Sequence, residues 1–225
     1  MAKRSPTVTP TPVPVLSLDH KDYQQIANQW TRSHRGDVNR QRRRLQEKGN
    51  LTLDVLSDSR EALAHLPGFV TAVETRWAGK RIRPRRVLSE GHQHFFRKLI
   101  TAEEFSPNLH FSVLRLNEEA ISYHFGFLYR QTLYYYRPVY LQQYTNLSPG
   151  KVHLAMLLEL GCSQKWKAID LLGGGEHYKY RWANAERQTS NVLLKGGKWL
   201  GHALMPWMTI GKPTARTLYQ RVPRF

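Results

Sequence analysis

Cysteine is almost absent from this sequence. Cys162 is the single one, so neither an intrachain disulfide nor a four-cysteine zinc site can form. Long apolar runs are also absent: the best, residues 154–160, contains Glu159 and falls far short of the roughly 18–20 residues that a membrane helix needs. No apolar stretch follows Lys3 and Arg4, as it would in a secretory signal. These absences favour a cytoplasmic protein in a reducing compartment.

Acidic residues are scarce. The 225 residues include 17 Asp and Glu against 34 Lys and Arg, which gives a formal net charge of +17. Such a charge favours an anionic partner: a nucleic acid, an acidic surface or a phosphorylated small molecule. Because 40% of the residues are hydrophobic, the chain can still bury a substantial core, and wholesale disorder is excluded.

Metal ligands in a recognisable spacing are missing as well. Ten histidines are present, but none forms the helical zinc pattern of two histidines four residues apart with a glutamate between them. We therefore expect no metal site. We expect Cys162, which follows a glycine at the predicted end of a buried helix, to be packed and inert.

Composition divides the chain into three regions. Residues 1–16 carry four alternating prolines and predict a disordered leader. Residues 17–209 predict one folded domain, and residues 210–225 a basic tail.

The folded region has the pattern of a sheet covered by helices. Strict alternation over residues 121–129 predicts the middle strand of a three-stranded antiparallel meander at 110–137. A buried helix from Ser148 to Leu160, ended by Gly161, follows. The whole pattern predicts an α+β fold. Its other predicted elements are two helical pieces in 19–48 broken near Ser33–Gly36, strands at 50–56, 166–172 and 189–195, and helices at 57–79, 89–100, 176–183 and 198–209.

The start of the buried helix is the first candidate site. The first turn of a helix presents unpaired N–H groups and the positive end of the dipole, so Gly150, Lys151 and Val152 could hold a phosphate. Ser148 followed by Pro149 is equally the ordinary start of a well-capped structural helix, and that interpretation stays open.

The segment from Asp170 to Trp182 is the second candidate site. It joins a carboxylate at a strand end to a triple-glycine turn and a short helix that carries Tyr178 and Lys179. These groups could serve as base, acid and anion clamp. The alternative is that Asp170 is a cap, Tyr178 part of the core and Lys179 a surface residue. The glycine turn has neither the dinucleotide nor the P-loop spacing.

Two basic segments complete the candidates. Residues 76–98 hold eight Lys and Arg against one acid, and residues 40–44 hold four more arginines. Together they could form a groove for phosphate or nucleic acid, or they could be a solvated face.

The two candidate sites together resemble a known family. The motifs are Tyr134-Tyr135-Tyr136, Leu147-Ser148-Pro149-Gly150, Ile169-Asp170-Leu171, Gly175-Glu176, Tyr178-Lys179 and Arg181-Trp182-Ala183. Over residues 35–200 their order and spacing are similar to those of the acetyltransferase family associated with cellulose biosynthesis. That family belongs to the GNAT superfamily and is similar to the Fem-type aminoacyl transferases of peptidoglycan bridges.

The resemblance implies a GNAT-like fold, with a mixed, mostly antiparallel sheet around a cleft for acyl-CoA. Ser148, Gly150, Lys151 and Val152 would bind the pyrophosphate of acetyl-CoA or another acyl-CoA. Lys179, Tyr178 and Asp170 would act near the acyl group, with Lys179 favoured as the electrostatic clamp. An acyl group would pass to an amine or hydroxyl of an acceptor, such as a polysaccharide or a cell-wall precursor.

The sequence departs from that family in two ways. Family members carry two GNAT-like halves and this chain has room for the second only, so a homodimer could replace the missing half. The usual GNAT phosphate loop, Arg/Gln-x-x-Gly-x-Gly/Ala, is not literally present. Two alternatives therefore accompany the acyl-CoA enzyme: a Fem-like transferase that uses aminoacyl-tRNA, and a non-catalytic basic module that binds RNA.

Overall fold

The computed structural model describes residues 7–77, 90–103, 106–174 and 176–193. The chain forms two compact units, Val13–Arg187 and a smaller one made of Met1–Pro12 and Gln188–Phe225. In the smaller unit the Thr189 hydroxyl donates to the Thr11 carbonyl at 3.1 Å. The larger unit contains both candidate sites.

Seven strands form one mixed sheet in the order β2-β3-β4-β5-β6-β1-β7. The neighbours from β2 to β5 and the pair β1–β6 are antiparallel, whereas β5 and β6 are parallel. This arrangement confirms the predicted α+β class. The elements are β1 (Thr7–Ser17), α1 (Tyr23–Ala27), α2 (Arg32–Gln46), β2 (Leu51–Leu56), α3 (Ser59–Trp77), α4 (Glu90–Thr101), β3 (Leu109–Leu116), β4 (Glu119–Tyr129), β5 (Thr132–Tyr140), α5 (Pro149–Ser163), β6 (Ala168–Asp170), α6 (His177–Trp182) and β7 (Ala185–Leu193).

Helices cover both faces of the predicted meander. On one face, the Phe125 ring of β4 packs against Phe96 of α4 and Phe69 of α3, with centroids 4.8 and 5.8 Å away. On the other face, His124 of β4 lies near His153 of α5, with ring centroids 6.4 Å apart. The alternation in β4 therefore separates two buried environments, one aromatic and one polar.

The prediction of a disordered leader is wrong for the residues of β1. Val13 and Leu16 are buried, and Val15 pairs with Asp170 of β6. Proline lacks an N–H, but its carbonyl can still accept, and the Pro14 carbonyl does so from the Leu171 amide at 3.1 Å. A proline-rich segment can therefore form a strand wherever only its carbonyls are needed.

Three predicted boundaries are also wrong. Helix α2 begins at Arg32 because the Thr31 hydroxyl accepts from the His34 amide at 3.2 Å, so residues 33–36 lie inside the helix. Gly161 does not end α5, which continues to Ser163. A Cβ on Gly161 would come within 2.6 Å of the Trp166 ring, so the glycine serves close packing. Strand β6 is shorter than predicted and spans Ala168–Asp170.

The other predicted elements of the larger unit agree with the structure to within a few residues: β2, α3, α4, the meander, the start of α5 and α6. The basic loop 80–86, the predicted helix 198–209 and the tail 210–225 lie outside the described residues.

Candidate active site

A wedge opens where β5 and β6 part. The two parallel strands pair only at Thr132–Tyr134 of β5, and β5 then runs on to Tyr140 beside β4. Crevices at the carboxyl ends of parallel strands are common ligand sites because backbone groups there are free of a neighbour. Here the chain leaves β5, makes a 3₁₀ turn over Gln142–Leu147 and enters α5 at Pro149.

The wedge holds a cleft of about 220 Å³. Its walls come from the end of β5, the start of α5, one residue of α3 and two residues of α6. Aromatic and aliphatic groups dominate, and a few polar groups converge on the space. The lining residues are Arg76, Tyr135, Pro138, Val139, Tyr140, Thr145, Ser148, Gly150, Lys151, Leu154, Tyr178 and Trp182.

The first turn of α5 has fewer free donors than the sequence suggested. The amides of Lys151 and Val152 both donate to the Ser148 carbonyl, at 3.0 and 3.4 Å. The Gly150 amide lies in the first turn, where no carbonyl within the helix can accept from it. Ser148 has φ +48° and its hydroxyl makes no capping hydrogen bond, contrary to its predicted capping role. Ser148 and Gly150 are therefore the members of this group with polar atoms left for a ligand.

Lys151 carries a charge that is already paired. Its ammonium group binds the Asp37 carboxylate of α2, which also pairs with Arg40. The hydrogen bond from Lys151 is the main reason that the pKa of Asp37 lies below its usual value. The side chain thus ties α5 to α2, and its positive charge is largely compensated.

Tyr178 and Lys179 point in different directions, as adjacent helical residues should. Tyr178 lines the cleft. The Lys179 ammonium group lies 3.3 Å from the carbonyls of Leu172 and Gly173 and 3.1 Å from the Glu176 carboxylate. The sequence favoured Lys179 as the clamp. In the structure the Lys179 ammonium group instead binds the turn after β6, and Tyr178 is the residue of the two that lines the cleft.

The Tyr178 hydroxyl is suited to donate a proton. Burial raises its pKa, and the negative charge of Glu176 raises it further. Arg76 acts in the opposite direction on this pKa, which indicates that its guanidinium group is near. The phenol therefore stays protonated at neutral pH, as a general acid must.

Asp170 is engaged at both carboxylate oxygens. One accepts from the Leu172 amide at 2.8 Å, and the other pairs with the Arg187 guanidinium group. The side chain is buried and does not line the cleft. This geometry fits the alternative interpretation of Asp170 as a capping and structural carboxylate better than the role of a base.

Arg76, in the last turn of α3, is the cleft residue that sequence reasoning did not single out. Its guanidinium carbon lies 5.4 Å from the centre of the Tyr140 ring, and one nitrogen donates to the Pro138 carbonyl at 3.3 Å. The sequence feature that pointed to a role for Arg76 in phosphate binding was its place in the basic segment 76–98. Nothing in the sequence of that segment marks Arg76 as a residue that contacts β5.

Behind the cleft wall lies a polar layer between β3, β4 and α5. The Ser122 hydroxyl donates to the Val139 carbonyl at 2.9 Å, so it must accept from Nδ1 of His153 at 3.0 Å. Nε2 of His153 then accepts from the Ser112 hydroxyl at 2.9 Å. Burial lowers the pKa of His153 to about 3, which keeps the ring neutral in this arrangement.

Two further histidines lie in the same layer. His110 and His124 are buried with ring centroids 5.8 Å apart, and neither ring has a hydrogen-bond partner among the described residues. Burial lowers the pKa of His110 to about 4 and that of His124 well below its usual value. His124 stacks on Tyr135 at 4.4 Å, so the layer directly supports a residue of the cleft.

Among the helices of the described residues, none is both long and apolar enough to cross a bilayer. No group of three or more His, Cys, Asp or Glu side chains in the described ranges is placed to bind a metal ion.

Several solved structures share this fold. FemX aligns with a TM-score of 0.57 at 9% identity, over 88% of this chain and 63% of that chain. The C-terminal domain of a putative lysylphosphatidylglycerol synthetase from Agrobacterium fabrum aligns with a TM-score of 0.57 at 10% identity, over 91% and 66%. L-PGS from Bacillus licheniformis aligns with a TM-score of 0.54 at 13% identity, over 92% and 68%.

At such identities these similarities show the fold alone, and the chain spans less than two thirds of the first two structures. No curated protein matches the sequence significantly. Residues 32–180, about two thirds of the chain, match the family described as the acetyltransferase (GNAT) domain. The predicted GNAT-like fold is thereby confirmed, and the chain belongs to the GNAT acetyltransferase domain family.

Proposed function

We propose that this protein transfers an acyl group from acyl-CoA to an amine or hydroxyl, and that the reaction takes place in the cleft between β5, α5 and α6. One observation carries the proposal. The space opened by the parting of β5 and β6 is bounded by the first turn of α5 on one side and by Tyr178, which is 42% exposed, on another. A site for phosphate and a candidate proton donor thus share one cleft.

The first turn of α5 would hold the phosphates of the donor. The Gly150 amide and the Ser148 hydroxyl supply hydrogen bonds, and the helix dipole favours negative charge there. Gly150 also permits close approach, since a Cβ at this position would stand 3.3 Å from the Tyr140 ring. Lys151 and Val152 support the turn through their bonds to the Ser148 carbonyl.

Tyr178 would protonate the leaving group. In the transfer, the acceptor's nitrogen or oxygen bonds to the acyl carbon, the carbon–sulfur bond breaks, and the departing thiolate takes the proton of the phenol. The proton lost by the acceptor passes to solvent, because the candidate carboxylate, Asp170, is held by Arg187 and the Leu172 amide. Solvent then returns a proton to the Tyr178 phenolate, which restores the enzyme. Lys179 would act indirectly, by holding the turn that leads to α6.

The identity of the acceptor and the narrower membership of the cellulose-biosynthesis-associated group stay hypotheses. A polysaccharide or a cell-wall precursor is the acceptor class that the resemblance implies. Its acceptor site would be completed by another domain or a second copy of the chain, since the chain covers 63% of the FemX chain.

A second candidate function is transfer from aminoacyl-tRNA, as in the Fem-type enzymes. The observation that favours it is the row of arginines on α2, of which Arg40 and Arg43 are well exposed, with 57% and 73% of their side-chain surface accessible. Helix α2 contacts the start of α5 through Asp37 and Lys151. A phosphate backbone on this helix would therefore lie beside the cleft.

Thermal stability in the presence of ligands separates these functions. Acetyl-CoA should raise the melting temperature, and the rise should persist as salt increases, because much of the binding comes from apolar walls and fixed hydrogen bonds. Stabilisation by RNA that fades steeply with salt, without any effect of acetyl-CoA, would favour the nucleic-acid functions and contradict the proposal.

A further inference from the structure

Resting on the proposed function, we infer that the cation that binds the donor's phosphate groups at the start of α5 is Arg76 of α3. Lys151, the cation that the sequence placed in this site, is not that group. The sequence predicted Lys151 as the cation of the phosphate site because Lys151 lies in the first turn of α5. The structure shows a second cation at the same place, supplied from a helix far away in the sequence.

The position of Arg76 follows from two contacts with β5. Its guanidinium group lies over the Tyr140 ring and donates to the Pro138 carbonyl. The Cδ1 atom of the same ring lies beside Gly150, where an added Cβ would be 3.3 Å away. The guanidinium group and the Gly150 amide, which has no partner within the helix, are therefore both neighbours of one aromatic ring.

The partners of the two cations differ. Lys151 forms an ion pair with Asp37, a carboxylate that it shares with Arg40. Among the described residues, Arg76 makes no ion pair, and its guanidinium group donates to a carbonyl oxygen at 3.3 Å. A guanidinium group has five N–H donors in a planar fork, so most of them remain for a phosphate, which it can bind in a bidentate manner.

A second donor is aimed into the same space. Tyr135 is 4% exposed, yet it lines the cleft, and its hydroxyl has no partner among the described residues. It is not one of the fully enclosed polar atoms that lack a partner, which belong to Trp30, His34, His110 and His124. The hydroxyl therefore opens to the cleft, where an anion can accept from it.

Arg76 thus takes the place of the arginine in the usual GNAT phosphate loop, which this sequence lacks. The ligand class is a phosphate ester, and the preferred member has two or more linked phosphates, because the Gly150 amide and the Arg76 guanidinium group both lie next to the Tyr140 ring and each can bind one phosphate. An acyl-CoA meets that description.

The experiment compares three probes by isothermal titration calorimetry: coenzyme A, pantetheine, which lacks every phosphate, and inorganic diphosphate. The variants are Arg76→Met, Arg76→Lys and Arg130→Met. Arg130 is the matched control because its guanidinium group also lies over a tyrosine ring, 5.2 Å from the centre of Tyr129, and neither of these two residues lines the cleft. Circular dichroism establishes that each variant is folded.

We expect Arg76→Met to weaken coenzyme A and diphosphate by tenfold or more and to leave pantetheine unchanged. Arg76→Lys should recover part of the loss, and Arg130→Met should bind all three as the wild type does. Equal coenzyme A affinity in folded Arg76→Met, or a loss that extends equally to pantetheine, would overturn the inference.

The outcome for the proposed function is separate. If the wild type and Arg76→Met bind coenzyme A with equal affinity, the proposed function stands and this inference is wrong. Binding of diphosphate that depends on Arg76, without any binding of coenzyme A or pantetheine, supports the phosphate site and removes acyl-CoA as the donor. A wild type that binds none of the three contradicts both.

Discussion

The two faces of the β3–β4 hairpin differ although the same strands form both. One face presents Phe111, Val113, Tyr123 and Phe125 to α3 and α4, and every one of them is buried among other apolar side chains. The opposite face presents buried histidines and serines to α5. A core needs only apolar contact to be stable, so the polar layer requires a different explanation.

The location of the polar layer explains why polar side chains are buried there. It lies behind the wall of the cleft, where His124 stacks on Tyr135 and Ser122 holds the Val139 carbonyl of β5. Hydrogen bonds have direction, so they fix the strand that carries the cleft residues more tightly than apolar contact would. The comparison suggests that the aromatic face mainly supplies stability and the polar face mainly positions the site.

Phe125→Ala tests the aromatic face and should have the largest effect. Phe125 is fully buried and contacts four other aromatic rings. Removing a buried phenylalanine costs about 3–5 kcal/mol in the free energy of unfolding. Chemical denaturation measures the loss, and the affinity of the folded fraction for acetyl-CoA should be unchanged. A change below about 1 kcal/mol would show that this face is not the main source of stability.

The pH dependence of stability tests the polar face. The pKa of His110 is lowered by burial to about 4 in the folded protein, so the unfolded chain takes up the proton first as the pH falls. The stabilisation is complete above about pH 6.5 and is lost progressively between that value and about 4.

The variant His110→Phe isolates this contribution. Over the same range the wild type should lose about 3 kcal/mol more in the free energy of unfolding than the variant, because each pKa unit corresponds to about 1.4 kcal/mol. Urea titrations at pH 7 and pH 4 measure it. Parallel losses in the two proteins would mean that His110 is not held neutral.

Tyr178→Phe should lower kcat without lowering stability. Loss of a general acid reduces the rate by about 10²-fold or more, whereas the ring and its contacts remain. Release of thiol from acetyl-CoA in the presence of an active amine acceptor is the assay. Lys179→Met is the adjacent comparison, and it should lower the melting temperature more than Tyr178→Phe because its ammonium group holds the turn after β6.

If Lys179→Met instead abolishes turnover in a protein of unchanged melting temperature, the original sequence-based choice of Lys179 as the clamp is the better one.

His124→Phe should have the smallest effect. Both ring nitrogens of His124 lack a partner among the described residues, so replacing the ring removes two unpaired buried polar atoms. The phenylalanine ring is slightly larger, and its crowding opposes that gain. We expect the free energy of unfolding at pH 7 to stay within about 1 kcal/mol of the wild type. A loss of several kcal/mol would indicate that the imidazole has an essential partner, such as an internal water.

The sequence predicted the local elements well, because the alternation of β4 and the start of α5 are written in consecutive residues. It missed β1, because proline usually disfavours strands and the compensating partner, Leu171, lies far along the chain. The paired state of Lys151 was equally hidden, since Asp37 lies 114 residues away. The choice between Tyr178 and Lys179 needed the direction of α6, which no local pattern supplies.

The most direct test of the central claim is a calorimetric titration of acetyl-CoA into the wild type and Gly150→Asp. The new carboxylate would stand at the first turn of α5, beside the Tyr140 ring, where the donor's phosphates are proposed to bind. We predict saturable binding by the wild type and none by the folded variant. Equal affinity in the two proteins would contradict the assignment of this cleft to an acyl-CoA donor.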